Sequence, residues 1–233
     1  MGIFGVDSQD GRDARAVTDV AEFESAAAGV TGVFERLMDV GIDGKGRFDS
    51  AQKVADEAMV ASSDAERAID AIVRSHLRLA AAGGFVTSLG GFVTMPIALP
   101  ANVLEFYLVA TRMVAGIAST RGYDIFQPEV RSAVLLALVG ADSDDLLKKA
   151  GYASTGRLAG LAVERLPGPV LLAVNKGVAF RLLNQVGKKS LTRFGKAVPL
   201  AGGVIGAGVD TYLLNRIADH ARLEFPPVGR PIR

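Results

Sequence analysis

The chain has 233 residues, no cysteine and a formal charge of +1. The missing cysteines exclude disulfide and thiolate chemistry, and the near-neutral balance argues against a general nucleic-acid binder, which is normally basic on one face. Apolar residues and glycine together make up roughly 59% of the chain against a usual 45–50%, while charged residues are an ordinary 22%, so the apolar excess is gathered in a few segments.

Residues 1–15 are polar and rich in glycine and aspartate, which predicts a flexible start. They carry neither a basic n-region nor an apolar h-region, and Val6 stands where a myristoylation motif needs Ser or Thr. Residence in the cytoplasm is the expectation. From Ala16 to Val40 the apolar positions Val20, Phe23, Ala27, Val30, Phe34 and Leu37 fall at spacings of three and four, the pattern of an amphipathic helix. The run GIDGKGRFDS breaks it as a loop, and a helix restarts after Ser50. Ser63 and Glu66 form a capping box for the next helix, whose stripe is Ala65, Ile69, Ile72, His76 and Ala80.

That helix runs into the most apolar part of the chain. Leu79 to Leu104 holds no charged residue and is long enough to cross a bilayer core. It is also cut by Gly83-Gly84, Gly90-Gly91, Pro96 and Pro100, which predicts two tightly packed apolar helices meeting near Thr94 to Pro100. The second should end at Gly122. Pro128 to Gly140, Ala141 to Lys149, Arg157 to Leu166 and Pro169 to Lys189 read as further helices. A basic run from Lys188 to Lys196 then precedes a second apolar block, AVPLAGGVIGAGVDTYLL, and the tail FPPVGRPIR should be extended or disordered. No segment alternates as a strand does. The reading is an all-α compact bundle of about eight helices around a glycine- and proline-rich apolar hairpin. It divides into a flexible 1–15, a single domain over 16–225 with 16–62 as a semi-independent helical segment, and a flexible tail over 226–233.

Nucleotide motifs fail on inspection. The run from Gly203 to Gly208 has the order GxxGxG with no strand before it, and Gly187-Lys188-Lys189-Ser190 lacks the upstream P-loop glycine. Gly202 and Gly206, four apart, instead form a small face for close helix packing. His76 and His220 stand far apart in the chain and share no ligand spacing, so no metal site is expected, and His76 reads as a packing residue.

Glu105 and Asp210 are each the only acid in a long apolar block. The blocks Leu104-Glu105-Phe106-Tyr107-Leu108 and Val209-Asp210-Thr211-Tyr212-Leu213 share the order apolar, acid, any, Tyr, Leu, a hint of internal duplication. Arg112, seven residues after Glu105 on the same helix face, is its expected partner. Glu105, Arg112, Asp210, Tyr107 and Tyr212 thus form a candidate buried polar or ligand site. No nucleophile and base can be assembled around them, so neither catalysis nor a cofactor is expected. Lys188, Lys189, Arg193 and Lys196 are candidate contacts to anionic lipid, because they flank an apolar block.

The blocks GGFVTSLGGFVTMPIALPANVLEFYLVATRMVAGIASTRGYD, VRSAVLLALVG and FGKAVPLAGGVIGAGVDTYLLNRIADHARLEF together resemble the EcsC protein family over roughly Arg74 to Phe225. A looser likeness is to the hydrophobic helical domain of some bacterial membrane GTPases, although no GTPase motif is present. The resemblance implies a helical, membrane-associated accessory protein, with an ABC transporter as a partner, and supplies no catalytic residues. The expectation is a non-enzymatic protein attached peripherally to the cytoplasmic membrane, in an accessory or scaffold role linked to transport or secretion. The alternative is a soluble carrier of a lipid-like ligand near Glu105 and Asp210. A large enclosed cavity would favour the carrier, and an exposed apolar patch beside Lys188 to Lys196 would favour the membrane.

Overall fold

The computed structural model describes residues 32–45, 48–82, 101–140, 143–152, 158, 160–163, 166–193 and 199–228. The start of the helix expected from Ala16, the bend of the apolar hairpin, Lys196 and residues 229–233 lie outside them. A helical lead-in over residues 32–36 passes into a π-helical turn, Leu37–Ile42. Then come α1 (Ala51–Val60), α2 (Ala65–Ala82), α3 (Ala101–Thr120), α4 (Pro128–Val139), α5 (Ser143–Lys149), α6 (Gly160–Val163), α7 (Gly168–Arg193) and α8 (Pro199–Glu224). Every regular element among the described residues is helical.

Two helices make the centre. On α3, Leu104, Leu108, Val109, Thr111, Met113, Val114 and Ile117 are all buried and cover every side of the helix. On α4, Val130 and the whole run from Ser132 to Val139 are buried. A helix that is apolar all round belongs inside a protein or a membrane, and here other helices surround it. α1, α2, α8 and the π-helical turn pack on α3, while α7 and α8 pack on α4. The outer helices are one-sided. α2 buries Ala68, Ile69, Ile72, Val73 and His76 at helical spacing and exposes Arg74 and Arg78.

The helix ends follow local chemistry. Ser50 Oγ accepts from the Lys53 amide at 3.1 Å and caps α1. At α2 the cap is Asp64, which accepts from the Arg67 amide at 2.9 Å, and not Ser63 as the capping box suggests. A carboxylate at this position also suits the positive end of the helix dipole, and Glu66 is left to pair with Arg121 at 2.8 Å. The final turns of α7 pass the expected end at Lys189 and reach Arg193, so Lys188, Lys189 and Arg193 all belong to the helix.

The corner after α3 is the main long-range tie. Gly122 has φ +91°, with the Tyr123 amide donating to Ala118 O at 3.1 Å and the Gly122 amide to Ser119 O at 2.9 Å. This double closure needs a left-handed residue, which glycine adopts without a Cβ clash. The start of the tail expected to be flexible, Phe225 to Val228, is fastened here. Tyr123 Oη donates to Pro226 O at 2.7 Å, the Val228 amide donates to Arg121 O at 3.0 Å, and Phe225 is fully buried edge-on to the Tyr123 ring.

Two stability effects follow. A Cβ at Gly41 would sit 2.9 Å from Thr111 Cγ2, a buried β-branched side chain with little freedom to move. Gly41→Ala should therefore destabilise by about 1–3 kcal/mol, and Thr111→Ala in the same chain should recover part of that loss. Denaturant melts that show the two changes as additive would contradict the contact. Phe225→Ala should cost about 3–5 kcal/mol, a test of whether the tail anchors the fold.

Candidate functional site

The acidic and basic residues of α3 lie on one face, at Glu105 and, two turns on, at Arg112, with Leu108 and Val109 between them. Glu105 is 9% exposed. Its carboxyl is pushed up from the ordinary 4.5 to about 7, first by burial and second by the negative charge of Asp210 on α8. The two acids that stand alone in their apolar blocks are thus brought within electrostatic reach of one another, where α3 and α8 pack. Arg112 is not the counter-ion. Seven residues along a helix separate the two positions by about 10.5 Å, and no salt bridge between Glu105 and Arg112 exists among the described residues.

The two tyrosines differ in their surroundings. Tyr107 packs edge-on against Phe106, and burial raises its phenol. Tyr212 is 61% exposed, its hydroxyl 3.4 Å from Arg216 Nη1. Lys188, Lys189 and Arg193 occupy the last turns of α7.

Arg112 faces another residue, His76 of α2. The two line a small pocket with Val40, Phe48, Leu79, Leu108 and Val109, and its space, about 10 Å³, is that of a single water. The Arg112 guanidinium lies 6.0 Å from the centre of the Phe48 ring. Burial works against its charge, while Asp49 and Glu57 support it from a distance. His76 is 2% exposed, with Nδ1 2.8 Å from Ile72 O and 3.2 Å from Ser75 Oγ. A carbonyl oxygen only accepts, so Nδ1 carries the proton and Nε2 presents a bare lone pair. Burial, opposed by the bond to Ile72 and helped by the charge of Arg112, lowers the imidazole from the ordinary 6.5 to about 4. Both His76 Nε2 and Arg112 Nε are buried without a hydrogen-bond partner.

His76 is the buried, hydrogen-bonded packing residue that the sequence predicts, and its neighbour Arg112 is what the sequence reading did not pair with it. His76 continues the buried stripe of Ile69 and Ile72, and Arg112 is the one basic residue between Arg78 and Arg121, so two neighbouring apolar surfaces each carry a single nitrogen group. Among the described residues no cluster of acids or histidines could hold a metal ion.

Glu105 and His76 affect stability in opposite senses. For Glu105 the fold favours the protonated form, so its contribution is full below pH 4.5 and is lost as pH rises through 7. For His76 the fold favours the neutral form, so its contribution is full above pH 6.5 and is lost as pH falls through 4. Between 4.5 and 6.5 the two slopes oppose each other. The stability of Glu105→Gln relative to the natural chain should therefore grow from pH 4.5 to 7, reaching as much as about 3 kcal/mol. A constant difference across a series of melts from pH 4 to 8 would refute the burial of that charge.

The model of the EcsC protein family matches residues 43–226, most of the chain. No curated protein and no solved structure matches it.

Proposed function

We propose that this chain, which belongs to the EcsC protein family, attaches peripherally to the inner face of the cytoplasmic membrane as a non-enzymatic accessory or scaffold linked to transport or secretion. The observation that carries the reading is the outer face of α7. Its inner face buries Val174, Val178 and Leu182. One side away from them, Leu172 and Phe180 are each 56% exposed, with the exposed Lys176 between. The same helix continues in the chain through Lys188 and Lys189 to Arg193. An exposed apolar face with a lysine in it, on a helix that ends in basic residues, is chemistry suited to a lipid headgroup boundary.

Magnitudes agree with reversible attachment. Removing two half-exposed apolar side chains from water contributes about 3 kcal/mol, and Lys176 on the same face about 1 kcal/mol more at an anionic surface. The sum corresponds to a dissociation constant of about a millimolar. No helix among the described residues is long and apolar enough to cross a membrane, so the lipid contact envisaged is a lateral one. The alternative, a soluble carrier of a lipid-like ligand near Glu105 and Asp210, would need a pocket of about 300–1,000 Å³ there. An ABC transporter in the same membrane is the partner that fits this role.

Flotation with vesicles tests the proposal. Recovery should be higher with anionic than with neutral vesicles and should fall as salt rises, since exposed charges are screened over about 8 Å at physiological ionic strength. Leu172→Ser with Phe180→Ser should weaken binding about tenfold or more while leaving the melt unchanged. Equal flotation of the double variant and the natural chain would overturn the assignment to α7.

A further inference from the structure

One end of the bundle gathers exposed apolar side chains that neither the core nor the α7 face uses. The salt bridge of Glu66 with Arg121 at 2.8 Å brings the start of α2 to the corner after α3. The Val228 amide donates to Arg121 O and the Tyr123 hydroxyl to Pro226 O, so the end of α8 arrives there too. Five of the nine large apolar side chains exposed among the described residues belong to these segments: Met59, Val60, Phe126, Leu223 and Val228. Val60 is 89% exposed, and Val228 Cβ lies 3.4 Å from where a Gly122 Cβ would stand. Single exposed apolar residues are ordinary, but a group of them at one end marks a contact surface. We propose that this end docks a lysine- or arginine-rich amphipathic helix of a partner protein.

Charge selects that occupant. Residues 56–67, 121–131 and 219–228 hold eight acids and four arginines. Each arginine is already engaged: Arg67 with Asp64, Arg121 with Glu66, Arg131 with Asp43 and Arg222 with Asp70. Asp124 and Glu129, on either side of Phe126 in the chain, make no ion pair among the described residues. Nor does Asp56, one turn before Val60. Asp124 Oδ1 accepts from the Phe126 amide at 3.0 Å, which fixes one of these carboxylates at the apolar group. Three helices, α1, α3 and α8, end here and two, α2 and α4, begin, so the helix dipoles add negative charge on balance.

Other occupants fit less well. An anionic bilayer would be repelled by these carboxylates, and α7, with five bases and no acid, is the helix suited to it. A nucleic acid fails for the same reason. A second copy in a two-fold contact would bring the same acids face to face. A basic amphipathic helix supplies an apolar stripe for Val60, Phe126 and Val228 and cations for the carboxylates around them. Such segments are found at the cytoplasmic edge of integral membrane proteins, where the loops carry an excess of Lys and Arg. That source rests on the membrane reading proposed above, whereas the surface itself does not.

An amphipathic helical peptide of leucine and lysine is titrated calorimetrically, beside a counterpart with glutamate in place of lysine. The lysine peptide should bind saturably and more weakly as salt rises, and the glutamate peptide about tenfold more weakly or not at all. Val60→Ser with Phe126→Ser should weaken binding about tenfold or more. Asp124→Asn, which keeps an oxygen for the Phe126 amide, should weaken it about threefold. All three positions are exposed, so melts should match the natural chain. Leu172→Ser with Phe180→Ser should leave peptide binding unchanged. Equal binding of both peptides, or binding indifferent to the Val60 and Phe126 changes, would sink the proposal. So would a dimer of the natural chain that those changes abolish, since the occupant would then be a second copy. Flotation that they reduce as much as the α7 changes do would reassign the surface to a bilayer and overturn it equally. The peptide is bound without vesicles, so failure of the membrane reading shows as lost flotation with peptide binding intact, and failure of this inference as the reverse.

Discussion

Burying α3 on every side leaves its polar side chains to find partners within the protein, and this constraint shapes what packs around it. The hydroxyls turn inward: Thr111 Oγ1 donates to Tyr107 O at 2.7 Å and Thr120 Oγ1 to Gly116 O at 2.8 Å. Ser119 Oγ donates to Gln52 Oε1 of α1 at 2.9 Å, so one hydroxyl also fixes a neighbouring helix. The two ionisable groups cannot be met so cheaply. Glu105 lies against the charge of Asp210, and Arg112 emerges beside Phe48 and His76. Small residues let the neighbours come close enough to enclose the helix, as where Gly41 meets Thr111 and Gly116 meets Ile72.

A carboxyl raised to about 7 keeps its proton in about half of the molecules at neutral pH, where an ordinary glutamate is almost fully charged. The contact of α3 with α8 is then closer to an apolar seam than the two acids suggest. Ion pairs lie mainly at the margins: Asp70 with Arg222 at 2.6 Å between α2 and α8, and Asp145 with Arg181 at 2.9 Å between α5 and α7. Such exposed pairs contribute little individually and serve to fix orientation.

Much of the architecture was legible because it is local. Pro128 and Gly140 bracket α4, Gly122 ends α3, and the stripe through Ile69 and Ile72 gave the buried side of α2. Helical period also placed Glu105 and Arg112 on one face. It could not show reach, and two turns is too far for a salt bridge. The likeness of the blocks around Glu105 and Asp210 suggested equivalent roles, yet the acids lie within electrostatic reach of each other and their tyrosines diverge, because tertiary packing and not pattern decides which face is covered. The pairing of His76 with Arg112 joins residues of separate helices and has no local signature. At Ser63 and Asp64 two good capping residues stand side by side, and motif spacing alone favoured the wrong one.

The corner after α3 bears on how the chain acquires its fold. Tyr123 and Pro226, joined there, stand 103 residues apart, and Asp43, at the other end of the family segment, pairs with Arg131 just beyond the same corner. A growing polypeptide presents α3 and its corner long before the residues that cover them have been synthesised. Helices on the ribosome can form in order, but the seat of Phe225 stays open until residues 225–228 have emerged. Native closure therefore waits on residues synthesised long after α3, and the nascent protein passes through a period in which its most apolar helix lacks part of its covering and is exposed to aggregation or to chaperones.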